Sequence, residues 1–184
     1  MRRTWWIGVV SLAAIVILSV PVSGSSVHLK GGSHAEPAFT DNGLTLTGAG
    51  ELAGLGNGDV LVTLAAIANP TGTCGNPGTN TWQAPGQNPA PVEVTGSEAI
   101  PDSEIKNGNT PFTVTTNAPE SPIPGAPDCP NPQWTELITD MAFTSLTITV
   151  EQPTGTTVLT VSCTFSSPTT DGSVAKADVS CTSS

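Results

Sequence analysis

The chain has 184 residues, and only 11% are Asp, Glu, Lys or Arg, against about 25% in an ordinary globular domain. Its 27 Thr, 17 Ser, 19 Gly and 17 Pro, with no Tyr, fit a β-rich, loop-rich exported protein and argue against a helical bundle or coiled coil. A formal net charge of −10 works against nucleic-acid binding, which depends on Lys and Arg to neutralise phosphates.

Residues 1–24 read as a secretory signal peptide. Arg2 and Arg3 form a basic start, Trp5 to Val20 an apolar stretch, and Pro21 breaks it before the small residues Val22, Ser23 and Gly24. The rival reading is an uncleaved membrane anchor, but the apolar run is shorter than the roughly 20 residues a spanning helix needs. After cleavage only Lys30, Lys106 and Lys176 remain against 15 acids, a net charge of −12. Such a chain has a thin apolar core, and domains of that kind usually need covalent staples. The four cysteines meet that need.

Residues 25–42 read as a flexible tether, Gly/Ser-rich and carrying both histidines, His28 and His34. Residues 43–184 then read as one domain in which the apolar pattern has mostly period two, the signature of half-buried strands. Leu44 and Leu46 alternate with Thr, Val60 to Ala68 forms a buried-looking strand, and Val92 with Val94 and Phe112 with Val114 mark short ones. Leu146, Ile148 and Val150 follow, then Leu159, Val161, Cys163 and Phe165 on one face, then Ala175, Ala177, Val179 and Cys181. Asp171-Gly172 is the hairpin signal between those last two strands. The segment Trp134, Leu137, Ile138, Met141 has helical spacing, whereas Thr135, Thr139, Thr144 and a Pro-rich approach favour a strand.

Seven or eight short strands predict an all-β fold, an antiparallel immunoglobulin-like β-sandwich, with a small β-barrel as the alternative. Two long Pro-rich loops interrupt it, Asn69 to Pro91 and Asn117 to Pro132. Both contain a C-x-N-P motif, at Cys74 and at Cys129, with Trp82 and Trp134 following soon after.

The run Cys74-Gly-Asn-Pro-Gly with Pro85-Gly-Gln-Asn-Pro89, then Cys129-Pro-Asn-Pro-Gln-Trp134 and Thr139-Asp-Met-Ala-Phe143, resembles small secreted bacterial proteins of actinobacterial type. The resemblance spans residues 44–165. It implies export and one β-rich domain, and it implies no activity.

An oxidising destination makes disulfides the default for Cys74, Cys129, Cys163 and Cys181. A hairpin centred on Asp171-Gly172 sets Cys163 almost opposite Cys181, within the narrow separation a disulfide tolerates. That leaves Cys74 with Cys129, joining the two Pro-rich loops. The spacing offers no C-x-x-C pair and no histidine lies in the domain, so no metal or other cofactor is expected.

Catalysis has little to draw on. A Ser or Cys nucleophile usually needs a neighbouring base, most often His, and both histidines fall in the tether. Paired carboxylates are the remaining enzymatic option, with Glu93, Glu98, Asp102, Glu104, Glu136 and Asp140 as candidates, although a glycosidase cleft is also rich in aromatics. Asp41-Asn-Gly43, Asn57-Gly-Asp59 and Asp171-Gly-Ser173 are oxygen-rich turns that fit ordinary tight turns better than a calcium loop. Trp82 and Trp134 either cover the loop disulfide or stand exposed as a stacking platform for a carbohydrate or protein partner. The resulting expectation is a secreted, non-catalytic binding or structural module. A small carboxylate-dependent hydrolase and a membrane-anchored surface adhesion module are the alternatives.

Overall fold

The computed structural model describes residues 27–32, 35–76, 78, 81–85 (backbone), 88–123 and 126–184; the signal peptide expected over 1–24 lies outside the described residues. Strands form where the period-two pattern lies. They are β1 His28–Leu29, β2 Ala38–Asp41, β3 Leu46–Ala53, β4 Val60–Asn76, β5 Thr81–Pro85 and β6 Val92–Ile100. Then come β7 Thr110–Thr115, β8 Thr135–Glu151, β9 Thr157–Phe165, β10 Gly172–Ser173 and β11 Val179–Ser183.

They build two antiparallel sheets. In the first, β3 is central, with β7 on one side and β2 and β1 on the other, and β10 flanks β2. In the second the order is β11-β9-β8-β4, and the far side of β4 takes β6 along its first half and β5 near its end. The two sheets stay separate, so the fold is the expected sandwich and not the alternative barrel. Strands of both sheets alternate buried and exposed residues. Their inner faces meet in one core holding Phe39, Leu46, Leu52 and Phe112 from one side and Val62, Leu64, Ile148 and Val161 from the other. Phe39 and Phe165 meet edge-on across it, with ring centroids 5.7 Å apart. Each fully buried side chain of this size stabilises by about 1.5–3 kcal/mol.

One lateral edge of the sandwich is closed by main chain. A Cβ on Gly96 of β6 would lie 1.9 Å from the Thr115 carbonyl oxygen of β7, so only glycine lets the two edge strands approach. Asn117 completes the seam: its backbone N–H and side-chain amide both donate to the Thr95 carbonyl, at 2.8 and 2.9 Å.

Three expectations need correction. The described part of 25–42 is no tether, because it supplies β1 and β2. Leu29 and Phe39 lie too far apart to make a periodic signal, yet both are buried in the core, and Gly31 and Gly32, at φ +122 and +95, make the turn between the strands.

The Pro-rich loop expected over Asn69 to Pro91 is partly strand. β4 runs on through Asn76, paired with β8 as far as Gly75 and Thr135. Pro70 is tolerated because it opposes Met141, whose N–H points away from β4 to the Gly43 carbonyl. That makes the two a non-hydrogen-bonded pair, and the N–H that proline lacks would have faced the gap between β6 and β5.

The last two strands are not joined by a tight hairpin. After β9 the chain crosses to the first sheet, where Gly172 and Ser173 pair with Asp41 and Thr40, and returns through a 3-10 turn at Lys176–Asp178 to form β11. Ala175 and Ala177 are exposed in that excursion. Trp134 to Met141 resolves in favour of strand, and the ladder requires it: Thr135 to Asp140 all pair along β4 except for one bulged residue.

Candidate functional site

β4 and β8 are 17 residues long each, roughly 55 Å at the usual rise per residue. Their first shared half, Leu61–Ile67 against Ser145–Glu151, backs the sandwich core. Ala68, Met141 and Phe143 still belong to that core, and the remaining length, residues 69–76 against 135–140, extends as an arm in which Ile138 alone joins the core cluster. Bulges at Thr144 and Thr139 separate the parts, and their hydroxyls donate to the Ile67 and Thr71 carbonyls, each at 3.2 Å.

Both expected disulfides are present. Cys163–Cys181 links directly opposed residues of β9 and β11. Cys74–Cys129, with Cα atoms 5.7 Å apart, ties the arm to the Pro-rich stretch around Asp128 and Cys129, which covers its inner side. Beneath that cover lies Glu136, fully buried. Its Oε2 accepts the Asp128 N–H at 3.2 Å, while Oε1 is the one buried side-chain oxygen among the described residues without a hydrogen-bond partner. A Cβ on Gly72 would sit 3.3 Å from that oxygen, with Pro89 equally close. Trp134 is half-buried where the arm begins. Trp82 lies on β5 opposite Gly75, and the question of whether its side chain covers the disulfide falls outside the described residues.

Of the other candidate carboxylates, Glu93, Glu98 and Asp102 do not converge, whereas Asp140 lies near Asp41 and Asp171. Glu98 Oε2 accepts the Thr113 N–H at 2.7 Å, Asp102 Oδ1 accepts the Gly58 N–H at 2.7 Å, and Glu93 lies on the outside of the second sheet. Two of the oxygen-rich turns do meet, which the sequence did not signal. Asp41 is buried, accepting the Gly43 N–H at 2.9 Å and the Thr169 hydroxyl, with Asp140 and Asp171 nearby. Burial pushes its carboxyl above the ordinary range, and the two neighbouring carboxylates add to that, while the two hydrogen bonds pull the other way. Among the described residues no group of His, Cys, Asp and Glu is arranged to hold a metal ion.

The most extensive chemical surface is one the period-two reading placed without recognising. Burial of Val62, Leu64 and Ala66 turns Thr63, Ala65 and Ile67 to the outer face of the second sheet. The register then lines up residues across five strands. One row runs Thr95, Ala65, Thr147, Ser162, Thr182. The next runs Ser97, Thr63, Thr149, Thr160, and Ser184 continues it through paired backbone bonds of 2.9 Å to Thr160. A third is Glu93, Ile67, Ser145, Thr164, Ser180. Outside Ala65, Ile67 and Glu93, every position carries a hydroxyl. Strand spacing sets the rows on a lattice of about 4.8 Å across and about 6.7 Å along the strands. Each Thr brings a donor, acceptors and a methyl group, and these three rows hold one carboxylate, Glu93, and no cation, with Glu151 in the row beyond them. Compared with protein-family models, curated proteins and solved structures, the chain matches none.

Proposed function

We propose that this chain is an exported, non-catalytic β-sandwich module that binds an extended neutral carbohydrate through the hydroxyl-covered outer face of its second sheet. The observation that carries the reading is the set of Thr and Ser rows crossing five strands. Solvent-facing sheets usually carry charged side chains that also guard against aggregation. A face built of hydroxyls hydrogen-bonds to sugar hydroxyls without desolvating a charge, and its methyl groups meet the apolar faces of sugar rings.

Export is supported by the N-terminal signal and by two disulfides, which persist in oxidising compartments. Among the described residues no helix is long and apolar enough to cross a membrane. The test is co-sedimentation of the disulfide-bonded protein with insoluble neutral polysaccharides, cellulose and chitin, beside Thr63→Lys and Thr149→Lys. Binding should be saturable and fall at least about tenfold in both variants with an unchanged melting temperature, since both sites face solvent. Undiminished binding by both variants contradicts the assignment of the face. Turnover of a polysaccharide, abolished by changing one carboxylate, contradicts the non-catalytic reading.

A further inference from the structure

The two lateral edges of the sandwich end differently. At β6 and β7 the sheets are sewn together through Gly96 and Asn117. At the opposite edge β1 and β11 stay apart, leaving an open cleft of about 720 Å³ lined by His28, Leu29, Gly32, Glu36, Cys181 and Ser183. β11 is the last strand of its sheet: β9 occupies one side and the other faces this cleft.

Cys181 shows which way its polar groups point. Its N–H is directed away from β9 and donates to Glu36 Oε1 at 3.2 Å. The Cα atoms of Cys163 and Cys181 are 4.1 Å apart, as in a non-hydrogen-bonded pair of an antiparallel ladder, where the backbone groups of both residues point outward. Alternation turns the N–H and C=O of Ser183 the same way, whereas the Val179 N–H, next to the 3-10 turn, is taken by the Lys176 carbonyl. One side of β11 therefore turns the backbone groups of Cys181 and Ser183 toward a cleft floored by the buried Leu29.

We infer that this cleft is a docking slot for an extended, basic peptide segment, which adds to β11 as a further strand. Strand addition draws its affinity from main-chain hydrogen bonds and its specificity from alternate side chains. Glu36 supplies that specificity. In the free protein its carboxylate stands in for a peptide carbonyl on the Cys181 N–H. When a peptide carbonyl takes that donor, Glu36 is released to pair with a Lys or Arg of the incoming segment. The charge of the whole chain, −10, steers the same class of partner. A carboxylate kept only to guard an edge strand would block all peptides alike.

The experiment is fluorescence anisotropy on the folded, disulfide-bonded chain with a labelled peptide alternating Val and Thr around a central Lys, and its Glu-centred counterpart, together with amide chemical shifts of the protein. The Lys peptide should bind saturably, shift the Cys181 and Ser183 amides, and bind at least about tenfold tighter than the Glu peptide. Glu36→Gln should erase that preference while leaving the melting temperature unchanged. Ser183→Pro, which removes an outward N–H and spares the ladder to β9, should abolish binding of both. Absence of saturable binding, equal affinity for the two peptides, or shifts confined to the outer sheet face would overturn the inference. So would self-association that Ser183→Pro abolishes, since the occupant would then be a second copy.

Discussion

β4 and β8 run side by side through two environments, and the contrast teaches what each part of the molecule depends on. Along Leu61–Ile67 and Ser145–Glu151 the inner side chains are Val62, Leu64, Ala66, Leu146, Ile148 and Val150, packed against the opposite sheet, and their ladder is flanked by β6 and β9. Along the arm the inner side chains include Pro70, Gly72, Cys74 and Glu136, facing Pro89 and the segment around Cys129. The backbone pairing continues across both halves. The body is held by burial, and the arm, where Ile138 is the one residue of the core cluster, adds a covalent staple.

Truncation in the body should cost most. Phe112 is 2% exposed, and its ring lies so close to Gly50 that a Cβ there would fall 2.8 Å from it. Phe112→Ala should therefore lower the stability of the whole domain by about 4 kcal/mol, read from denaturant midpoints at constant slope. Replacing Cys74 and Cys129 together by Ala should cost about 3 kcal/mol, with the loss falling on the arm. Limited proteolysis is its check, with first cuts within 69–91 and 117–132 and a β6–β9 body that survives longer.

A smaller effect of opposite sign is expected at Glu136. Gln in its place keeps an acceptor for the Asp128 N–H while removing a buried carboxylate that has only one partner. Glu136→Gln should stabilise the arm by about 1 kcal/mol in the same proteolysis assay, and a faster first cut would count against it.

The smallest effect lies at the joint, where the Asp41–Gly43 turn accepts the Met141 N–H through the Gly43 carbonyl. Asp41 holds its proton to higher pH in the folded protein than at its ordinary value of 3.8. In that window the folded state binds more protons than the unfolded one, so stability falls as pH rises upward from 3.8. Asp41→Asn should lack that part of the slope in melting curves taken across acidic pH.

Much of the body was legible in the sequence, because period-two alternation is a direct image of a half-buried strand: Leu159, Val161, Cys163 and Phe165 are all buried as read. Both disulfides were legible too, although the Asp171-Gly172 reasoning for one of them was wrong, since that turn reaches the other sheet. What stayed hidden depends on pairing across long separations. Leu29 and Phe39 looked isolated because their partners are on β3. Pro70 looked like a strand breaker because its neighbour on one side, a gap between β6 and β5, has no sequence signature. The hydroxyl face was legible residue by residue and invisible as a surface, for the rows exist only once five strands are in register. Glu36 and His28 were passed over as tether residues, although they line the open cleft.

The most direct test of the contrast between body and arm is amide hydrogen exchange along β4 and β8 in the protein lacking the Cys74–Cys129 bond. Both halves belong to the same two strands, so composition and strand identity are shared while the means of support differs. The account predicts that amides of residues 69–76 and 135–140 lose protection by about a hundredfold, whereas those of 60–67 and 145–151 keep theirs. Equal loss along the full length of both strands, or retained protection in the arm, would contradict it.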